Sequence, residues 1–179
     1  MRFRRTFIFV DLSGFTNYTE IYGDEAATEL LAKFRANARS VGSHHGVRID
    51  KYLGDGLMAV AIESAVGITF AVELQKNAQK SCAPLALRIG IATGETMLFE
   101  GQDYIGSAPN LAARLCDAAG KVGTLIPADQ ATSLPPGIVA HELDPMTLPG
   151  FAVPIEVVSL SGEPIGDLRF DPSDSLARS

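Results

Sequence analysis

The hydrophobic pattern divides the chain into short apolar runs separated by amphipathic stretches. Thr6 to Val10 is β-branched and aromatic, and predicts a buried strand that ends in the turn Asp11-Leu-Ser-Gly-Phe-Thr16. From Asp24 to Val41 the apolar positions Leu30, Leu31, Phe34, Ala38 and Val41 share one face, with Glu25, Glu29, Lys33 and Arg35 outside it, so this stretch predicts a helix. Val47 to Leu53 and Leu57 to Ile62 read as two strands around Gly54-Asp55-Gly56, a hairpin signal. Ser64 to Lys80 repeats apolar residues at spacing four (Val66, Phe70, Leu74) and predicts a second helix. Leu85 to Ala92 and Thr96 to Phe99 predict two further strands. Ser107 to Ala119 predicts a third helix, with Ser107 as cap, Pro109 in the first turn and Gly120 closing it. Short strands follow at Thr124 to Pro127, Val139 to Leu143 and Pro154 to Leu160, with a turn at Pro135-Pro136-Gly137.

Helices alternating with strands around one central hairpin predict an α+β fold with a ferredoxin-like βαββαβ core and extra C-terminal strands. Residues 1–160 read as one domain. Residues 161–179 turn polar and read as a flexible tail.

Composition narrows the function. The 179 residues are 46% hydrophobic and 20% charged, which excludes disorder as the main state. A net charge of −6 argues against binding nucleic acid through its phosphates. The N-terminal apolar run stops at Asp11, too short for a secretory h-region, and no stretch reaches the roughly 20 apolar residues of a membrane span. Cys82 and Cys116 are far apart and form no CxxC pair, so a disulfide framework and a zinc ribbon are both excluded and a cytoplasmic setting is expected. Both cysteines read as half-buried small hydrophobes, His44 and His45 as a solvated loop, and His141 as a surface residue.

The candidate chemistry lies in two groups of residues. Asp11 ends the first strand and Asp55 stands at the hairpin tip, and a βαββ unit can bring both to one sheet edge. Two carboxylates there would suit a hard divalent cation together with substrate phosphates, although each alone is better explained as a turn residue. Asn110 and Arg114 lie four apart on a helix and share a face, with Ala112 and Ala113 leaving room beside them. An amide beside a guanidinium suits a sugar oxygen and a phosphoryl oxygen.

Taken in order, these segments resemble the catalytic domain of class III nucleotidyl cyclases. Phe9-Val-Asp-Leu-Ser-Gly-Phe-Thr16 matches the family's first metal motif and Lys51-Tyr-Leu-Gly-Asp-Gly-Leu-Met58 its second. Arg88-Ile-Gly-Ile-Ala-Thr-Gly94 resembles the strand after the second core helix. Asp103-Tyr-Ile-Gly-Ser-Ala-Pro-Asn-Leu-Ala-Ala-Arg-Leu115 matches the approach to the catalytic helix, and Leu148-Pro-Gly-Phe-Ala-Val-Pro-Ile-Glu-Val157 the closing strand.

The resemblance implies a role for each residue. Asp11 and Asp55, with the Leu12 carbonyl, would hold two divalent metal ions, Mg²⁺ or Mn²⁺. Lys51 and Asp103 would read adenine, a pairing for ATP where guanylate cyclases carry Glu and a small or sulfur-containing residue. Asn110 would orient the ribose and Arg114 would stabilise charge on the α-phosphate. Backbone amides of the turn through Phe15 and Thr16 would cradle phosphates. The family splits these groups between two subunits, so the resemblance implies a head-to-tail homodimer with composite sites. The chain departs from the family at Pro149, where a phosphate-binding Lys is common, and Lys121 and Arg88 are the substitutes within the sequence. Ala108-Pro109 replaces the usual Thr-Val, and Ile105 replaces a common Trp. That departure leaves a second reading, a cyclase-like nucleotide-binding regulatory domain with little turnover. A P-loop ATPase and an Asp-x-Asp phosphatase are excluded, because neither motif is present.

Overall fold

A computed structural model describes residues 1–120 and 123–163. Its elements run β1 (Arg2–Ser13), α1 (Phe15–His45), β2 (Arg48–Leu53), β3 (Gly56–Ala61), α2 (Ser64–Ser81), β4 (Ala86–Phe99), β5 (Asp103–Ile105), α3 (Ser107–Ala118), β6 (Thr124–Pro127), β7 (Ile138–Glu142) and β8 (Val157–Gly162). A single 3-10 turn, Ala128–Gln130, follows β6.

The strands form one sheet in the order β2-β3-β1-β4-β6-β8-β7, with β5 hydrogen-bonded to β4. The first four strands with α1 and α2 are the expected ferredoxin-like core. Along β1 the alternation sorts residues by face. Ile8, Val10 and Leu12 join the main core with Leu30, Phe34, Ile68, Phe70 and Leu74 of the first two helices. Phe7 and half-buried Phe9 belong instead to a smaller cluster with Ala108 and Ala112 of α3. Helix α3 therefore covers the opposite face, which also carries Asp11.

Several elements are longer than the pattern predicts. Helix α1 starts at Phe15 rather than Asp24 and continues through His45. Its first turns are rich in Thr, Asn and Tyr, which favour helix weakly, and Gly23 interrupts it with φ 85°. Thr19 stays in the helix by donating its hydroxyl to the Phe15 carbonyl at 3.0 Å. Strand β4 is continuous across both predicted strands, and Gly94 within it is the seat of Ala108. A Cβ there would lie 2.9 Å from the Ala108 Cβ. The N-cap of α3 is Gly106, and Ser107 is already helical. Strand β8 carries Ser161 and Gly162, two residues past the predicted domain end. Residues 164–179 of the predicted tail lie outside the described residues.

The minor polar residues also differ from expectation. His45 is buried within α1, its ring nitrogen 2.5 Å from the Glu73 carboxylate. His44 is helical rather than in a loop. Both cysteines are fully buried.

Candidate active site

The hairpin joining β2 to β3 brings the two acids together. Gly54 supplies a left-handed φ of 61° at the first turn position. Gly56 permits close approach, since a Cβ there would lie 2.6 Å from the Val10 carbonyl. Asp11 stands opposite Gly56 in β3 and opposite Arg88 in β4. The Leu12 amide, beside Asp11, donates to the Asp55 carbonyl at 3.4 Å. Burial, and next the facing charge of Asp11, push the Asp55 carboxyl above the ordinary Asp range, with Arg88 pulling it back.

Arg88 forms an ion pair with Asp11. That bond raises the guanidinium pKa further. The Arg88 Nε is buried with no hydrogen-bond partner among the described residues. This pairing was not anticipated from sequence. It comes from strand register, which places Arg88 beside Asp11 although the two are far apart along the chain.

The chain turns into α1 three residues after Asp11. Gly14 is the N-cap, and no side chain caps the helix. The amides of Phe15 and Thr16 lie in this uncapped first turn, a geometry suited to an anion.

A second group gathers where β2 meets β5. Lys51 donates from Nζ to Asp103 Oδ1 at 2.8 Å, and this bond holds the ammonium pKa above its ordinary range. Beside them Arg48 donates to the Tyr104 hydroxyl at 2.7 Å and pairs with Asp50. The Tyr104 ring meets Phe7 edge-on, with centroids 5.1 Å apart. Arg48 and Tyr104 were not singled out by sequence, and the only signal for Tyr104 was its place beside Asp103.

Asn110 and Arg114 lie on the exposed side of α3. Arg114 pairs with Asp117 at 3.6 Å, and neither residue bonds to Asp11 or Asp55. Ala112 does not leave room around them. It is buried, with its backbone set against Gly90, where a Cβ would lie 2.1 Å from the Ala112 carbonyl. Pro149 is exposed in the turn that the Phe151 amide closes onto the Leu148 carbonyl at 3.1 Å. Lys121 lies outside the described residues.

Among the described residues no three His, Cys, Asp or Glu side chains gather as a metal cluster. The donor set is the carboxylate pair Asp11 and Asp55. Hard oxygen donors, a repulsion from Asp11 that leaves the Asp55 carboxyl raised despite Arg88, and an adjacent orphaned guanidinium nitrogen fit a divalent cation carrying a phosphate.

Comparison with solved structures settles the fold. The adenylyl cyclase CyaB from P. aeruginosa superposes with a TM-score of 0.77 over 94% of this chain and 98% of that one, at 24% identity. The chain has the class III cyclase fold. No family model matches the sequence. An uncharacterized protein of Mycobacterium tuberculosis is 34% identical over 156 residues, 87% of this chain and 41% of that protein. An adenylate cyclase of Streptomyces coelicolor is 31% identical over 118 residues, 66% of this chain and 31% of that enzyme. The cyclase-fold chain thus spans less than half the length of the curated relatives it matches. Among its described residues no helix is long and apolar enough to cross a membrane.

Proposed function

We propose that the chain, with residues 1–160 as its catalytic unit, is an adenylate cyclase that converts ATP to 3′,5′-cyclic AMP and pyrophosphate. The observation that supports this most is the Lys51–Asp103 pair, a donor and an acceptor 2.8 Å apart. Adenine offers the complement, an acceptor ring nitrogen beside a donor exocyclic amine. The Streptomyces relative adds support, since its printed name is adenylate cyclase.

In this reading the ribose 3′ hydroxyl attacks the α-phosphorus. The new P–O bond forms as the bond to the β-phosphate bridging oxygen breaks, the hydroxyl proton is lost and pyrophosphate leaves. The protein's share is positioning and charge stabilisation. Lys51 donates to the ring nitrogen and Asp103 accepts from the amine. Asn110 orients the ribose, and Arg114 offsets charge on the α-phosphate. The amides of Phe15 and Thr16, with Arg88, hold the triphosphate. Two Mg²⁺ or Mn²⁺ ions held by Asp11, Asp55 and the Leu12 carbonyl would, when bound, acidify the hydroxyl and clamp the phosphates.

The acids and the purine-reading pair belong to different sites in this proposal, so two chains pair head to tail. Support comes from an apolar group around Asp103: Met97, Leu98, Phe99 and Ile105 are 41–56% exposed.

The test is cyclic nucleotide formation by the purified chain from ATP and from GTP, with Mn²⁺ or Mg²⁺, over a series of protein concentrations. The proposal expects cyclic AMP from ATP and a specific activity that rises with protein concentration. Metal-dependent ATP binding without product would return the chain to the regulatory reading.

A further inference from the structure

The hairpin tip that carries Asp55 lies at the margin of the sheet. Strand β2 is the edge strand and forms a backbone ladder only with β3, with a register irregularity between Ile49 and Lys51. Leu53 and Gly54 are exposed. From β1 the tip receives one long backbone bond, Leu12 to Asp55 at 3.4 Å. Across this join Asp55 faces Asp11, whose carboxylate is held by Arg88 of β4 and not by the tip.

Helix α1 holds the tip from the other side. Arg35 donates from Nη2 to the Gly54 carbonyl at 3.1 Å. Its guanidinium carbon lies 4.4 Å from the centroid of the Tyr52 ring, a cation–π contact that fixes the side chain's direction. One turn on, Arg39 donates to the Tyr52 hydroxyl at 3.3 Å. The Arg35 Nε is buried with no hydrogen-bond partner among the described residues. Burying part of a guanidinium to reach one turn carbonyl is costly on a helix that could have kept it in water.

We propose that Arg35 is a positioning residue that tethers the Gly54 turn to α1 and so fixes the Asp55 carboxylate against Asp11. The same helix starts four residues after Asp11, so a single element sets both ends of the acid pair. Only the metal in this inference rests on the cyclase reading. The tether itself does not.

The experiment compares Arg35→Ala, Arg35→Lys and, as a control that keeps the ring, Tyr52→Phe. Amide hydrogen exchange over residues 52–57 reads the tether, and Mn²⁺ titration followed by the free-ion EPR signal reads the acid pair. In Arg35→Ala the turn amides exchange roughly tenfold faster and Mn²⁺ affinity falls by about tenfold. Arg35→Lys, which can still reach the carbonyl, recovers part of both, and Tyr52→Phe stays near wild type. Where activity is measurable, the ATP KM at saturating Mn²⁺ stays unchanged while the Mn²⁺ requirement rises. If Arg35→Ala does not fold, Arg35→Lys carries the test with a smaller shift in the same direction. Unchanged exchange at the turn overturns the tether. Faster exchange with unchanged Mn²⁺ affinity overturns its role at the acids. A wild-type chain that binds no Mn²⁺ overturns the metal site and its link to Arg35, while exchange still decides the tether.

Discussion

Lys51 and Asp103, fifty-two positions apart, meet at 2.8 Å where edge strand β2 passes the three-residue strand β5. The contact leaves one ammonium and one carboxylate side by side at the surface, their side chains 37% and 60% exposed. If this pair reads the purine, changing its donor–acceptor pattern changes the base. Lys51→Glu with Asp103→Cys is expected to lower cyclic AMP formation by at least about tenfold, the order of one lost polar recognition contact, and to raise cyclic GMP formation from GTP. Product ratios in parallel ATP and GTP assays check this.

Helix α3 meets β4 at two glycines, Gly90 and Gly94. A Cβ on Gly90 would lie 2.1 Å from the Ala112 carbonyl and 2.3 Å from the Cys116 amide, both backbone atoms that cannot swing aside. Gly90→Ala therefore lifts α3 off β4. Overpacking of this kind costs about 1–3 kcal/mol, read as a lower denaturant midpoint. Activity falls further than stability alone explains, because Asn110 and Arg114 move with the helix.

The acid pair makes a prediction whose sign depends on pH. The Asp55 carboxyl is raised in the folded chain, so its contribution to stability is present at low pH and lost as pH rises through its folded pKa. Asp55→Asn removes that loss. Without metal the variant melts at or slightly above the wild-type temperature at neutral pH, the gain being small because solvent screens the pair. Mn²⁺ at about a hundred times its Kd stabilises the wild type by about 2.7 kcal/mol, or roughly 5–10 °C. Asp55→Asn loses this response, and its cyclase activity drops by about 100-fold or more. Melting curves with and without Mn²⁺ at acid and neutral pH check both.

The cysteines are expected to be silent. Burial pushes the Cys116 thiol up to about 12, and burial also raises Cys82. The native chain at pH 8 should release no colour with a thiol reagent, and the unfolded chain should show both thiols. As pH rises from the ordinary thiol range toward about 12, the Cys116 contribution to stability is lost, so alkaline melting temperatures fall.

Much of this arrangement was legible before the fold was known. The core strands and helices follow from period-two and period-3.6 apolar runs, and Gly54-Asp55-Gly56 marked its hairpin directly. The elements misjudged were those decided by tertiary contact. The first turns of α1 carry weak helix formers, yet Phe15 and Tyr18 pack against the core. The run of β4 through Gly94 was not predicted, and the packing partner of that glycine, Ala108 of α3, lies elsewhere in sequence. Asp11 and Asp55 could be paired from topology alone. Arg88 could not be matched to Asp11 without the register of β1 on β4, nor Arg35 to Gly54 without knowing how α1 lies against the hairpin.

The central claim is that ATP is cyclised at sites shared by two copies of this chain. Mixing two inactive variants tests it most directly: Asp55→Asn, damaged at the acids, and Arg114→Ala, damaged on α3. Random pairing makes half the dimers mixed, each with one intact site, so cyclic AMP formation should return to about a quarter of the wild-type rate. A mixture as inactive as its parents, beside an active wild type, would place the whole site in one chain and contradict the account.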